Sequence, residues 1–520
     1  MRVRVPLPAP EALDGPGPTG PARSSRAWIA SFAALGVALA ALAFFTQLGD
    51  DAYIHARIAR NALEGHGLVF NIGDHFKVDS STGYVLALAA LGSLLPMEWA
   101  IRTLGAVSIA ATVAALGYLA ATAEAGLPRR LVAAIAPIPY VAVAAYEGME
   151  TPLACALIAL GAIAWRRERP ALCILITALA AAVRFEALAL LALCLAQSLP
   201  GSPRKGRLLA AAAPLAALFA FELWQFGSIV PHAALAKSHG YNMPLWLSAM
   251  FGLWLKWGWQ GLWAGIALLA AIGSGISRMA ARRRMERADA YLLFAAAVFA
   301  GWMLSRSLIF LWYYCMLAVP LAIWVLWADA VPRAASWAQR MGTPLACVAL
   351  AGFFGFGLDA TLDSVSGGSD IVRVPRYAQI GAALEDLCPR CTLASSEIGA
   401  VGYTFPGTVY DGFGIADPVA MQFHPLRIPF ERRQFDIGGI PARYIELRRP
   451  DFIVTMPPFA LGLLGSPTAA HYSLYECPFG DAAHPVSFWN GEDRALVLAL
   501  RPLPAATLAA MRCAPPAGAS

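Results

Sequence analysis

Residues 28–55 read WIASFAALGVALAALAFFTQLGDDAYIH. From Trp28 to Leu48 there is no charge, a run that meets the ~20 apolar residues an α-helix needs to cross a hydrocarbon core, and it ends directly on Gly49-Asp50-Asp51. Adjacent carboxylates repel, so at least one of the pair needs a cation, a hydrogen-bond donor or a substrate hydroxyl beside it. The following Ala-Tyr-Ile-His-Ala-Arg-Ile-Ala-Arg stretch is helical in pattern, and Asp is a good N-cap. The pair therefore reads as a helix cap or as a catalytic base, with one residue available for each job. Arg2, Arg4, Arg23 and Arg26 precede the apolar run and no small-residue cleavage motif closes it. This predicts a cytoplasmic tail over 1–27 and a retained first helix.

The composition agrees with a membrane chain. Of 520 residues, 58% are hydrophobic and 14% charged, with a mean hydropathy of +0.58, whereas soluble domains carry roughly 25% charged residues. A soluble core of this size would lack the polar surface to cover it. The net charge is +6, and much of the positive charge stands at the ends of apolar runs. It reads as topology and as contact with a lipid bilayer, with no nucleic acid implied.

Lys and Arg recur in four short clusters: Arg129 and Arg130; Arg166, Arg167 and Arg169; Arg204, Lys205 and Arg207; and Arg278, Arg282, Arg283, Arg284 and Arg287. The positive-inside rule places all four in the cytoplasm. Apolar segments near 28–48, 100–122, 130–146, 148–164, 171–183, 187–199, 208–226, 261–277, 290–304, 309–328 and 343–359 predict about eleven transmembrane helices. The run 82–95 is read as re-entrant, interfacial or a kinked extension of 100–122, because a further crossing there would put every later basic cluster on the wrong side.

The transmembrane region thus spans 28–359, with a first outer loop over 49–81. From 360 to 520 the chain turns rich in Pro, Gly and polar groups, with β-like runs Thr392–Ala394 and Phe452–Thr455 and a helix at Arg376–Leu387. These predict a C-terminal extracytoplasmic α/β domain. Cys388 and Cys391 suit a local disulfide in an oxidising compartment, with Cys477 as a competitor for either partner.

Charges beside membrane helices must be compensated, so they mark the candidate site. After Asp50 and Asp51, the first loop holds Tyr53, His55 and His66. Glu147-Gly148-Met149-Glu150-Thr151-Pro152 forms a turn between apolar runs, and Arg184 and Glu186 form another. His232 and Lys237 follow 208–226, and Arg306 follows 290–304, ahead of Trp312, Tyr313 and Tyr314. Each has a bland reading as ion pair, snorkelling anchor or aromatic belt. Gathered on one membrane face, two acidic clusters and several cations suit an anionic headgroup whose tail stays in lipid.

The pattern Gly49-Asp50-Asp51-Ala52-Tyr53-Ile54 followed by Gly65-His66-Gly67-Leu68-Val69-Phe70-Asn71 resembles the first-loop signature of bacterial GT-C membrane glycosyltransferases, in particular the arabinofuranosyltransferase-like group. Gly148-Met149-Glu150-Thr151-Pro152 matches that group's Gly-Leu/Met-Glu-Thr-Pro element. Arg184-Phe185-Glu186 resembles its Arg-Pro-Glu element, with Phe185 where proline is usual. Gly227 to His232, continuing to Ala236-Lys237, resembles a Gly-x-x-x-Pro-Asn-Thr...Ala-Lys stretch, with His232 in place of Asn. Asp411-Gly412-Phe413-Gly414-Ile415-Ala416-Asp417-Pro418 is similar to an element of the outer domain.

The resemblance implies a GT-C fold in the bacterial inner membrane, with the active site and C-terminal domain facing the periplasm. It implies an inverting glycosyltransferase that moves a sugar, arabinofuranose among the candidates, from a polyprenyl-monophosphate donor to a glycan, glycolipid or pilin-type acceptor. Asp51, or else Asp50, would be the base. Arg184, Lys237, Arg306 and His232 would hold the donor phosphate. Tyr53, His55, His66, Glu150, Glu186, Asp411 and Asp417 would bind or orient sugar and acceptor, although Asp411 and Asp417 also suit turn capping. No cofactor is expected, the Asp pair being where a divalent cation would bind if one took part. The alternatives are a ligase using a polyprenyl-diphosphate donor and a non-enzymatic lipid-linked sugar transporter, the latter expected to string charges through both leaflets.

Overall fold

The structure is a computed structural model describing residues 23–241, 259–328, 335–365, 373–426, 439–480 and 493–516. The expected tail over 1–27 lies almost wholly outside the described residues.

Helix α1 (Arg23–Leu42) carries the first apolar run, and α2 (Asp50–Leu63) starts on the Asp pair. The 82–95 run becomes α3 (Thr82–Gly92), which Pro96 separates from α4 (Met97–Thr122). Then follow α5 (Leu127–Ile135), α6 (Ile138–Tyr146), α7 (Thr151–Arg166), α8 (Pro170–Val183) and α9 (Ala187–Ser198). The next are α10 (Lys205–Ala211), α11 (Ala213–Phe226), α12 (His232–Tyr241), α13 (Trp259–Arg282), α14 (Arg287–Ser305), α15 (Cys315–Trp327) and α16 (Gly342–Val365).

The expectation of about eleven transmembrane helices is corrected. Among the described residues six helices are long and apolar enough to cross a membrane, or seven if the pair α10 and α11, bent by 48°, forms one span. The segments near 148–164, 171–183, 187–199 and 309–328 form helices of 16, 14, 12 and 13 residues. At ~1.5 Å per residue these fall short of a ~30 Å hydrocarbon core. The apolarity of α15 (Cys315–Trp327) has another cause. Every residue of α15 from Cys315 to Leu326 is buried, so this helix is a core element of the bundle whose side chains face protein.

Three of the four basic clusters, those of Arg129, Arg166 and Arg287, meet at one end of the bundle. Arg129 donates to the Val325 and Ala328 carbonyls, and Arg166 to that of Thr122. Arg287 pairs with Glu168 at 2.6 and 2.8 Å and reaches the Trp165 carbonyl at 3.1 Å. These contacts join the ends of α4, α7 and α15 to the starts of α5 and α14. The polar turns 147–150 and 184–186 lie at the opposite end.

Beyond α16, α17 (Arg373–Leu387) opens a domain with a five-stranded sheet: β1 (Thr392–Ser395), β2 (Thr408–Asp411), β3 (Phe452–Thr455), β4 (Ser473–Pro478) and β5 (Arg494–Ala499), in the order β2-β1-β3-β5-β4. β2 and β3 flank β1 in parallel, and β5 is antiparallel to both β3 and β4. The three inner strands β1, β3 and β5 are buried without alternation, a mark of strands covered on both faces, whereas the edge strands β2 and β4 are not. Cys388 pairs with Cys391, and Cys477, which the sequence leaves as a competitor, pairs with Cys513 instead.

Candidate active site

Helix α2 begins the site. Residues four apart on a helix share a face, while neighbours point ~100° apart. Asp51 and His55 therefore look the same way, and Asp50 another. Asp51 is 37% exposed, and its Oδ2 lies 3.8 Å from Lys237 Nζ on α12. His55 Nε2 lies 3.5 Å from Glu150 Oε2.

Glu150 owes its place to the turn before α7. Gly148 there has φ +77°, and a Cβ on it would press on Ile101, so glycine is required twice over. The Glu150 carboxylate accepts from Arg184 Nη1. Burial alone would raise this carboxyl, but Arg184 and His55 outweigh it and hold the group well below the usual carboxylate range. Arg184 sits at the end of α8, where the helix breaks before α9. It donates from Nε and Nη2 to Glu186, at 3.1 Å for Nε, and its guanidinium lies 4.6 Å from the Tyr313 ring centroid. Lys237 Nζ is 3.4 Å from the Tyr313 hydroxyl. The chain of contacts closes on itself: Asp51, Lys237, Tyr313, Arg184, Glu150 and His55, back to α2.

Through Arg184, Lys237 and Tyr313 the ring meets a cavity of about 530 Å³, within the ~300–1,000 Å³ usual for ligand sites; Asp51, Glu150 and His55 stand behind these three, outside its lining. Arg184, Glu186, Lys237, Tyr313, Ser80, Ser305 and Ser307 supply its polar lining. Leu188 and Ala189 from α9 and Ala297, Val298, Gly301 and Trp302 from α14 supply the apolar wall. Phe185, 44% exposed, stands between Arg184 and Glu186 in the lining.

The other expected site residues lie elsewhere. Asp50 is buried, and both its oxygens accept backbone amides, from Gly399 and Ala400. Tyr53 donates to Glu98 Oε1 at 2.9 Å. His66 is an exposed partner of Glu64 at 3.8 Å. His232 starts α12, its amide on the Lys77 carbonyl and its ring edge-on to Phe76. Arg306 ends α14 in a left-handed conformation, φ +53°, between the lining residues Ser305 and Ser307. Asp411 and Asp417 are buried in the outer domain. Asp411 accepts the Phe413 and Ala416 amides, and Asp417 accepts the Val419 amide, the Tyr444 hydroxyl and Arg448. Among the described residues no three His, Cys, Asp or Glu side chains converge as a metal site would require.

Two features escaped the sequence reading. Tyr313 looks like one of three belt aromatics in sequence, yet it is the ring between Arg184 and Lys237. Lys77 Nζ lies 2.6 Å from Glu222 Oε1, both side chains being almost wholly buried, and Thr82 Oγ1 lies 2.6 Å from the same oxygen. The signal was present, since Glu222 is an acid inside the apolar run 208–226.

No family model matches the chain, and no curated protein does. The apo crystal structure of ArnT from Cupriavidus metallidurans matches with a TM-score of 0.50 at 16% identity, covering 92% of this chain and 98% of that one. The fold is similar to that of ArnT. A second ArnT structure, bound to undecaprenyl phosphate, matches with a TM-score of 0.46 at 16% identity over 91% of this chain and 98% of that one. The ArnT-like architecture is thus shared along almost the whole chain, the bundle together with its β-containing C-terminal domain.

Proposed function

We propose that this chain is an inverting membrane glycosyltransferase that takes a sugar from a polyprenyl-monophosphate donor. The observation that carries this reading is the cavity itself, where an apolar wall from α9 and α14 meets a polar rim holding Lys237 beside Asp51. A lipid phosphate has the same division, an apolar chain and one anionic head. The prenyl chain would lie along Leu188, Ala189, Val298 and Trp302, with the phosphate at Lys237 and the Arg306 end of α14.

In this mechanism Asp51 accepts the proton of the acceptor hydroxyl as that oxygen bonds to the anomeric carbon. The bond from that carbon to the phosphate oxygen breaks, and the electron pair leaves with the polyprenyl phosphate. Lys237 and Arg306 balance the charge that develops on the phosphate. Arg184 is already neutralised by Glu150 and Glu186, so its part is to hold the Tyr313 ring and the turn in place. The sequence resemblance favours arabinofuranose as the sugar and a glycan, glycolipid or pilin-type protein as the acceptor. The gathering of three basic clusters at the opposite end of the bundle favours the periplasmic face for the site.

The test is donor consumption by purified protein in lipid, against a panel of polyprenyl-monophosphate sugars, with Asp51→Asn and Arg184→Ala in parallel. Turnover of one donor that Asp51→Asn abolishes is the expected result. A panel without turnover, even with crude envelope acceptors supplied, would sink the proposal.

A further inference from the structure

The outer domain grips α2 through contacts some 340 residues apart in sequence. The Gly399 and Ala400 amides donate to Oδ2 and Oδ1 of Asp50 at 2.9 and 2.8 Å. Gly399 permits this approach, since a Cβ there would overlap the Asp50 backbone carbonyl. Two turns further along α2, the buried Arg57 donates to the carbonyls of Gly402, Phe405 and Gly407. Asn71 then pairs with Val409 on β2 in both directions, at 3.1 and 3.0 Å.

The same domain also holds the element opposite α2. The His239 ring on α12 bonds the His424 carbonyl at 2.7 Å, and a Cβ at Gly240 would strike the Phe413 ring. Asp51 and Lys237 thus stand on two helices that are each tied to the outer domain. Their 3.8 Å separation is set through that domain as well as within the bundle.

We propose that Asp50 is a positioning residue, through which the outer domain orients α2 and so sets the Asp51–Lys237 geometry. Its carboxylate is occupied by two amides and does not take the acceptor proton. The proposal rests on Asp51 being the base. It makes the outer domain part of the active-site scaffold, whatever that domain also reads of the acceptor.

The test uses full-length protein in lipid nanodiscs, with the donor that the wild type consumes, and the variants Asp50→Asn and Gly399→Ala. Hydrogen exchange at residues 399–405 is followed alongside kcat, donor KM and the pH profile. Both variants are expected to speed exchange at Gly399 and Ala400, to lower kcat by about tenfold or more and to leave donor KM within about twofold, as loss of alignment without loss of binding requires. The acidic limb of the pH profile is retained, because the base is still present.

Two results would overturn the proposal: Asp50→Asn abolishing turnover and its acidic limb while Gly399→Ala leaves kcat unchanged, or faster exchange with kcat unchanged in both variants. A wild type that consumes no donor overturns the glycosyl-transfer reading and the positioning role with it. Exchange at Gly399 and Ala400 then still reports whether the clamp exists, so the two failures are distinguishable.

Discussion

Lys237 Nζ lies 3.8 Å from Asp51 Oδ2, where the first loop, the helix after α11 and the cavity meet. The Lys237 ammonium stands beside the proposed base and is placed to balance charge on a donor phosphate as it develops there.

Substituting Asp51 by Asn removes the proton acceptor while keeping size and polarity. Turnover is expected to fall on the order of 10²–10⁴-fold with little change in donor KM. Steady-state kinetics on reconstituted protein decides the matter, and a variant of near wild-type kcat would exclude Asp51 as the base.

Arg184 is held by Glu150 and Glu186, and all three are buried or nearly so. Arg184→Ala leaves two carboxylates without their cation, a loss of about 3–5 kcal/mol. Adding Glu150→Gln and Glu186→Gln should recover much of that. Thermal unfolding in nanodiscs measures both, and a single variant as stable as the wild type would remove the network from the structural account.

The outer domain should lose stability as pH rises through neutrality. Burial pushes the Glu397 carboxyl up to about 7, with Arg373 opposing and Asp50 reinforcing. Between its unfolded value of 4.5 and about 7 the native state therefore keeps a proton that the unfolded chain has released. The contribution is complete below the lower value and is lost as pH passes the upper one. Melting of the outer domain at pH 5 and pH 8 should show the decline, and Glu397→Gln should flatten it. Equal slopes in the two proteins would contradict this assignment.

The Cys477–Cys513 disulfide ties β4 to the end of the chain across a sequence separation of 36. Closing a loop of that length is worth ~4 kcal/mol in the chain-entropy model. The Cys388–Cys391 bridge spans a separation of only 3 and restricts far less. Cys513→Ser with Cys477→Ser should therefore lower the melting point of the outer domain more than Cys388→Ser with Cys391→Ser does. Non-reducing peptide mapping verifies the pairings before either melt.

Apolarity and charge placement were legible in the sequence because both are properties of composition along the chain. They marked a membrane bundle, three basic clusters that share one end, a C-terminal domain with strands at Thr392 and Phe452, and the acidic and basic turns around Glu150 and Arg184. Apolarity does not distinguish a side chain facing lipid from one facing a neighbouring helix. For that reason α15 looked like a crossing, while α7, α8 and α9 have lengths, set by turns such as Gly148 and Arg184-Phe185-Glu186, that place them among the short helices. The division between Asp50 and Asp51 needed the tertiary structure as well. The two are chemically identical neighbours, and only the docking of Gly399 and Ala400, brought from the far end of the chain, occupies one carboxylate and leaves the other facing Lys237.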